Sequence, residues 1–193
     1  MYKLCKTEQS ASRQHELEAG LLAIMSAKRY EEISVSDLCG QLGIPRKSFY
    51  RYFSSKDGAL QALIDHTLMD FEAFPTGLPS GEKRTAQTEL ERFFRFWFHQ
   101  KPLLDAMARS DMSGILIERS ISYAISGPSL PRLFLPHDTP EVQKQVTVFA
   151  VCGLMSMVLN WHQEGFALPV PHMAKLAVRL VSQPLFQNIN AIL

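Results

Sequence analysis

Ile33–Leu60, reading ISVSDLCGQLGIPRKSFYRYFSSKDGAL, is the stretch whose reading decides the fold. Ser34 followed three residues later by Asp37 has the form of a capping box, which satisfies the free N–H groups at a helix start. Val35, Leu38, Leu42 and Ile44 supply apolar positions, and Gly43 marks where that helix stops. Pro45 then favours a new start, because its fixed φ suits a first turn and its missing N–H has no partner there in any case. The next two turns gather Arg46, Lys47, Tyr50, Arg51 and Tyr52, while Phe49 and Phe53, four apart, form a buried edge. A helix, a tight turn and a basic-aromatic helix make the pattern of helix-turn-helix DNA binding.

Working outward, Leu17, Leu21, Ile24 and Met25 recur at helical spacing between about Ser12 and Lys28. That stripe supplies the third helix against which Leu38, Leu42, Phe49 and Phe53 bury a core. Downstream, Ser54-Ser55-Lys56-Asp57 has cap chemistry, and Leu60, Leu63, Ile64, Thr67, Leu68, Phe71 and Phe74 continue at three-and-four spacing to Pro75. A long helix therefore leaves the three-helix head.

The motif resembles the tetracycline-repressor (TetR) family of bacterial transcription regulators. The family pattern DIA…AGVS…TLYxYFxSKxxLL stands here as Asp37-Leu38-Cys39, Leu42-Gly43-Ile44-Pro45, Ser48-Phe49-Tyr50-Arg51-Tyr52-Phe53 and Ser55-Lys56-Asp57-Gly58-Ala59-Leu60. The chain departs from it at Arg29-Tyr30, where the family carries Gly before an aromatic, and at Pro45, where it carries a Ser or Thr cap. The resemblance implies an all-α fold of about nine helices: a helix-turn-helix head at 1–59 and a larger helical effector-binding and dimerisation body at 60–193.

The flexible break falls at Pro75-Thr-Gly-Leu-Pro-Ser-Gly81, a breaker-rich linker, although the functional boundary lies earlier, near Leu60. A helix from Glu82 or Lys83 to Gln100 carries Leu90, Phe93, Phe94, Phe96, Trp97 and Phe98 on more than one face, so it is enclosed by protein or lines a cavity. Pro102 opens a short helix through Met107, and Ser113 to Ser126 forms another. Gly127-Pro128, Pro131 and Pro136 predict a mobile loop to Asp138. Thr139-Pro140-Glu141 is a cap, a first-turn proline and an acidic second position, predicting a helix to Glu164 that stops at Gly165. A last amphipathic helix follows Pro171.

The 193 residues carry 20 Lys plus Arg against 19 Asp plus Glu, so affinity for nucleic acid must come from local clustering. Arg46, Lys47, Arg51 and Lys56 are such a cluster. Standing alone they are also a solvated helix face; within the motif they read as a DNA contact. Arg46, Lys47 and Ser48 lie nearest the base edges, since a recognition helix enters the major groove by its N-terminal residues. Ser36 offers a hydroxyl and a free N–H to a phosphate. The resemblance adds Tyr50, Tyr52 and Lys56 as phosphate contacts.

Phe93, Phe94, Trp97, His99, Met107, Tyr123, Phe149 and Met155 are candidates to line an effector pocket, as the matching helices do in the family; ordinary core is the alternative for each. Val146, Gly153 and Ser156, with Leu176 and Leu180, form a small-residue and apolar seam at which the resemblance implies a homodimer. Cys5, Cys39 and Cys152 are odd in number and dispersed, which fits a reducing, cytoplasmic setting. Val146 to Leu159 is interrupted by Cys152, Gly153 and Ser156 and is too short for a membrane span, so no membrane partner is expected. None of the six histidines stands at metal-ligand spacing, so no metal and no cofactor are expected. The reading is a DNA-binding regulator, a repressor released from a palindromic operator by a small apolar effector. Its alternatives are a regulator or activator of the same fold answering to a protein partner, and a helical enzyme or interaction protein without DNA function.

Overall fold

The computed structural model describes residues 1–3, 5, 7–77, 83–126 and 139–182. Among them are nine α-helices and no strand: α1 Glu8–Met25, α2 Val35–Gln41, α3 Arg46–Tyr52, α4 Lys56–Ala73, α5 Ala86–His99, α6 Lys101–Arg109, α7 Ser113–Ser126, α8 Pro140–Gln163 and α9 Val170–Ser182. The breaker-rich stretch at 127–138 and most of the linker lie outside the described residues.

Caps set most boundaries where the sequence puts them. The Ser34 hydroxyl accepts from the Asp37 amide at 3.1 Å while the Asp37 carboxylate accepts from the Ser34 amide at 2.8 Å, closing the capping box. The Ser34 hydroxyl, which also donates to the Asp37 carboxylate at 2.6 Å, together with the Ser34 amide holds the Asp37 carboxyl below the usual carboxylate range. Ser55 accepts from Gly58 at 3.1 Å, and Thr139 and Pro140 open α8. Helix α1 starts four residues before the periodicity suggests. The Thr7 hydroxyl accepts from Ser10, and the first two turns are polar, so a cap and not an apolar stripe begins this helix.

The head buries Leu17, Leu21, Met25, Leu38, Phe49 and Phe53 between α1, α2 and α3, each at 5% exposure or less. Gly43 has φ 62°, the left-handed turn that joins α2 to α3 and favours a residue without Cβ. The missing glycine at Arg29 is replaced by a 3₁₀ turn at Tyr30–Glu32 entered through extended backbone. One feature has no sequence signal: the N-terminal segment runs antiparallel beside Phe53, with the Lys3 amide donating to the Tyr52 carbonyl at 3.0 Å and the Ser54 amide to the Met1 carbonyl at 3.1 Å.

In the body α5 packs on α9 and α7 on α8, with α4 against both α1 and α7. Helix α5 is enclosed as expected: Phe94, Phe96 and Trp97 are buried, Phe94 meets Trp161 edge-on at 5.8 Å, and Phe96 meets Phe71 at 5.2 Å. Arg92 is the buried cation of this helix. It donates through Nε to the Phe74 carbonyl at 2.7 Å, through Nη2 to the Glu72 carbonyl at 2.9 Å and to that of Phe71, and lies over the Phe71 ring. These carbonyls close the end of α4; that of Phe71 also accepts from the Phe74 amide at 3.2 Å, while those of Glu72 and Phe74 are met by Arg92, so one side chain completes the helix terminus.

Arg92→Met is expected to lower unfolding free energy by about 3 kcal/mol, because it strands those acceptors. Arg84→Met, at an exposed position beside the same helix, should stay within about 0.5 kcal/mol. Urea denaturation followed by far-ultraviolet circular dichroism compares the two.

Candidate nucleic-acid interface and cavity

Helix α3 turns two unlike faces to its surroundings. Phe49 and Tyr52 point into the head, while Arg46, Lys47 and Arg51 are exposed and Tyr50 is 42% exposed. Ser36 is exposed early in α2, and Ser48 is half-buried. Pro45 occupies the N-cap of α3 and provides no side-chain bond, so the amides of the first turn face outward without a capping oxygen. The Arg46 guanidinium reaches the Tyr50 hydroxyl at 3.5 Å, one turn on, which aligns both along the exposed ridge. A groove beside α3 also gathers Ser10, Ser12 and Arg13 of α1 with Ser48 and Arg51. Those α1 residues carry no periodic or motif signal; only the packing of α1 across α3 makes them neighbours.

Two residues expected at this surface turn inward. Tyr52 is buried. The Lys56 ammonium donates to the Tyr30 carbonyl at 2.6 Å and the Ile33 carbonyl at 2.7 Å, and sits 4.0 Å from the centre of the Tyr30 ring. Its charge ties the turn before α2 to the first turn of α4. Tyr30 completes the joint: its hydroxyl donates to Asp57 at 2.6 Å and its amide to the Ser110 hydroxyl, between α6 and α7, at 2.9 Å. Burial, with the bond to Asp57, pushes the Tyr30 hydroxyl pKa well up.

The body contains an apolar cavity of about 100 Å³ lined by Leu68, Phe71 and Glu72 of α4, Phe93 and Trp97 of α5, Ser120, Tyr123 and Ala124 of α7, and Val151, Leu154 and Met155 of α8. Phe93, Trp97, Tyr123 and Met155 stand where the sequence reading puts them. Four others do not. Phe94 and Met107 are fully buried in the core beside the cavity, because α5 and α6 bury those positions against α8 and α9. His99 is exposed at the end of α5, against Phe74. Phe149 is 70% exposed on the outer face of α8. The cavity's polar end is the Tyr123 hydroxyl donating to Glu72; burial and this bond raise the Tyr123 pKa. The Ser120 hydroxyl is occupied by the Leu116 carbonyl at 2.8 Å, and among the described residues no basic side chain lines the space.

Helix α8 is long and apolar enough to cross a membrane, contrary to the sequence expectation, with 22% of its most apolar window buried inside the chain. Its outward residues form one stripe at helical spacing: Val142, Val146, Phe149, Gly153 and Ser156. A Cβ added at Gly153 would meet nothing within 4 Å. On α9, Leu180 and Val181 are exposed and Leu176 is half-buried.

Residues 19–63 match the family described as bacterial regulatory proteins, tetR family. The HTH-type transcriptional regulator EthR of Mycolicibacterium smegmatis is 35% identical over 85 residues, covering 40% of this chain and 39% of that protein, so the match spans about two fifths of the relative's length. The structure of the fatty acid degradation regulator FadR from Bacillus halodurans aligns with a TM-score of 0.57 at 14% identity, covering 96% of this chain and 100% of that one. A tetR-family transcriptional regulator from Streptomyces coelicolor aligns with a TM-score of 0.51 at 18% identity, covering 89% and 79%. The two solved structures share the all-α fold.

The inward Lys56 gives a test. Lys56→Met is expected to destabilise the chain by about 1–3 kcal/mol, since it removes a charged donor from two carbonyls. Amide exchange at Glu31 to Ser34 should accelerate. Lys47→Met, on the exposed face, should leave both unchanged.

Proposed function

We propose that the chain is a TetR-family, homodimeric, DNA-binding transcriptional regulator whose body takes up a small effector, a reading supported by the match of residues 19–63 to that family. The observation that carries the reading is the two-faced α3: aromatic residues inward, and Arg46, Lys47, Tyr50 and Arg51 outward, behind the Gly43 turn. Arg46 and Lys47, with Ser48, are positioned to meet base edges; Ser36, Tyr50 and Arg51, with Ser12 and Arg13, are positioned for phosphates. The unit divides functionally as 1–59 for DNA and 60–193 for effector and dimer, in the cytoplasm.

The dimer reading rests on α8. A long apolar helix whose outer face is left open by the described residues is suited to a partner surface, and the Val146, Gly153 and Ser156 stripe with Leu176 and Leu180 provides small residues for close helix approach. A two-fold dimer presents two α3 helices to half-sites about 34–36 Å apart or a multiple of it. The effector reading rests on the cavity. Its volume is below the roughly 300–1,000 Å³ typical of ligand sites, so a ligand must widen it, and that widening displaces α4. With Glu72 at its polar end and no basic side chain among the described residues of its lining, it favours apolar molecules that are neutral or cationic over carboxylates. Repression relieved by such a ligand follows if the widened form sets the heads at the wrong spacing.

Selection of genomic fragments bound by the intact protein, followed by fluorescence anisotropy, tests the DNA reading. Arg46→Ala is expected to lose about 1–3 kcal/mol of affinity and relax preference at one base pair. Lys47→Ala should weaken binding, whereas Arg51→Ala should reduce the salt slope by about one per head. Absence of any bound fragment at low salt would overturn it.

Gly153→Arg leaves room in the monomer, so the variant should fold, run as a monomer by light scattering and lose operator affinity. An undiminished dimer places the interface elsewhere. For the cavity, a thermal-shift series of one aromatic skeleton bearing a hydrogen, an ammonium or a carboxylate should raise Tm for the first two only, and Glu72→Gln should remove the preference for the cation.

A further inference from the structure

His15 and Glu18, one turn apart on α1, meet His66 of α4, 48 residues further along the chain. One ligating atom from each, an imidazole nitrogen from either histidine and a carboxylate oxygen, lie within 4.8 Å of one another. Glu18 Oε2 stands 2.8 Å from His66 Nδ1 and 3.3 Å from His15 Nδ1, and the two imidazole centres are 4.6 Å apart.

A simple ion pair accounts for only part of this. It explains one histidine on Glu18 Oε2, but two imidazoles share that oxygen, and protonating both would set like charges side by side. Glu18 itself is 2% exposed, and its other oxygen, Oε1, is buried with no hydrogen-bond partner among the described residues. An uncompensated carboxylate oxygen at that depth is unfavourable, and one imidazolium supplies a single charge. A dication in place of the shared protons resolves these features together, taking nitrogen from both rings and one or both oxygens from Glu18.

We propose that His15, Glu18 and His66 form a binding site for a divalent transition ion of the zinc class, joining α1 of the head to α4. Two imidazoles and a carboxylate are the donors such borderline ions select, whereas magnesium and calcium require oxygen sets. Ligand distances of about 2.0–2.2 Å imply ligating atoms about 3.3 Å apart, so the present spread closes by side-chain rotation alone. The His15 side chain is 55% exposed, which leaves an entry path and a fourth position for water. Leu68, two residues beyond His66, already lines the cavity, and occupancy therefore fixes the angle between head and α4 immediately beside the effector space. The site does not depend on the DNA-reading proposal.

Tag-free, chelator-stripped full-length protein is titrated with Zn²⁺ by calorimetry and with Co²⁺ by visible absorption. The expected result is one ion per chain, a four-coordinate Co²⁺ spectrum and a Tm raised by Zn²⁺. His15→Ala, at an exposed position, should retain the wild-type Tm in chelator yet lose at least about 100-fold in Zn²⁺ affinity, since even outer ligand partners are worth about 10–100-fold. Glu18→Gln should lose the Co²⁺ spectrum. Failure of the wild type to bind Zn²⁺ saturably, or affinity in His15→Ala within about tenfold of wild type, overturns the site and leaves an ion pair.

Discussion

One rigid helix serves two neighbours, and the rest of the structure follows from that constraint. Helix α4 has 18 residues, about 27 Å of hydrogen-bonded rod at 1.5 Å per residue. Its first turn is held by the head, through the Lys56 ammonium on the Tyr30 and Ile33 carbonyls and through Asp57 on the Tyr30 hydroxyl. Its middle is held by α1 and α7, and its last turn walls the cavity and ends under Arg92. A rod cannot shift at one end alone. Displacement of Phe71 or Glu72 must therefore become tilt at Lys56, where Tyr30 passes it to the turn that precedes α2.

The bonds along this rod fix register more than they supply energy. Asp65 receives Arg119 of α7 through the Nε and Nη2 of one guanidinium edge and the Tyr2 hydroxyl at 2.9 Å, tying the N-terminal segment, α4 and α7 to one carboxylate. Burial and that carboxylate push the Tyr2 pKa up to about 12. A buried pair of this kind gains little over an apolar replacement, because desolvation offsets the Coulomb attraction. Its cost when half-broken is large, however, so it penalises any slip of α4 against its neighbours. The stabilising energy comes instead from the aromatic layer of Phe71, Phe94, Phe96, Trp97 and Trp161, which is non-directional and would tolerate a slip. Directional contacts on one part of the rod and greasy contacts on another allow it to pivot without detaching.

Legibility in the sequence followed the range of the interaction. Caps and breakers act within four residues, so Ser34-Asp37, Ser55 and Thr139-Pro140 placed their helices. The α3 ridge was equally readable, because a seven-residue helix with two aromatics on one side leaves its basic residues on the other. What failed was long-range. Nothing local to Lys56 announces the two carbonyls some 25 residues earlier that claim its ammonium. Phe94 and Phe149 are the same residue type in helical patterns, yet one is fully buried and the other 70% exposed, since only assembly decides which face is covered. Spacing did contain the clue for Phe149, since it repeats with Val142, Val146, Gly153 and Ser156 on the seam face that Val151, Met155 and Val158 oppose. His15, Glu18 and His66 had none, because metal-ligand spacing rules read along the chain and this cluster forms across it.

The short α3 and the uncovered α8 bear on each other. Seven residues present about two turns to a groove, room for about two side chains on base edges, each worth about 1–3 kcal/mol of discrimination. That is far short of the roughly 4–10 kcal/mol separating specific from non-specific sites, so one head is not sufficient. A second copy doubles the readout only if the two are held at a fixed separation, which requires a rigid joint. On the proposed dimer that joint is α8, and its coupling to the heads runs through α7, which packs on α8 and holds α4 by Arg119 on Asp65. The cavity lies among these same three helices and α5. On the proposed reading, a molecule that enters it acts on the distance between two recognition helices without touching either, and the separation of the heads is the quantity that effector and DNA would both measure.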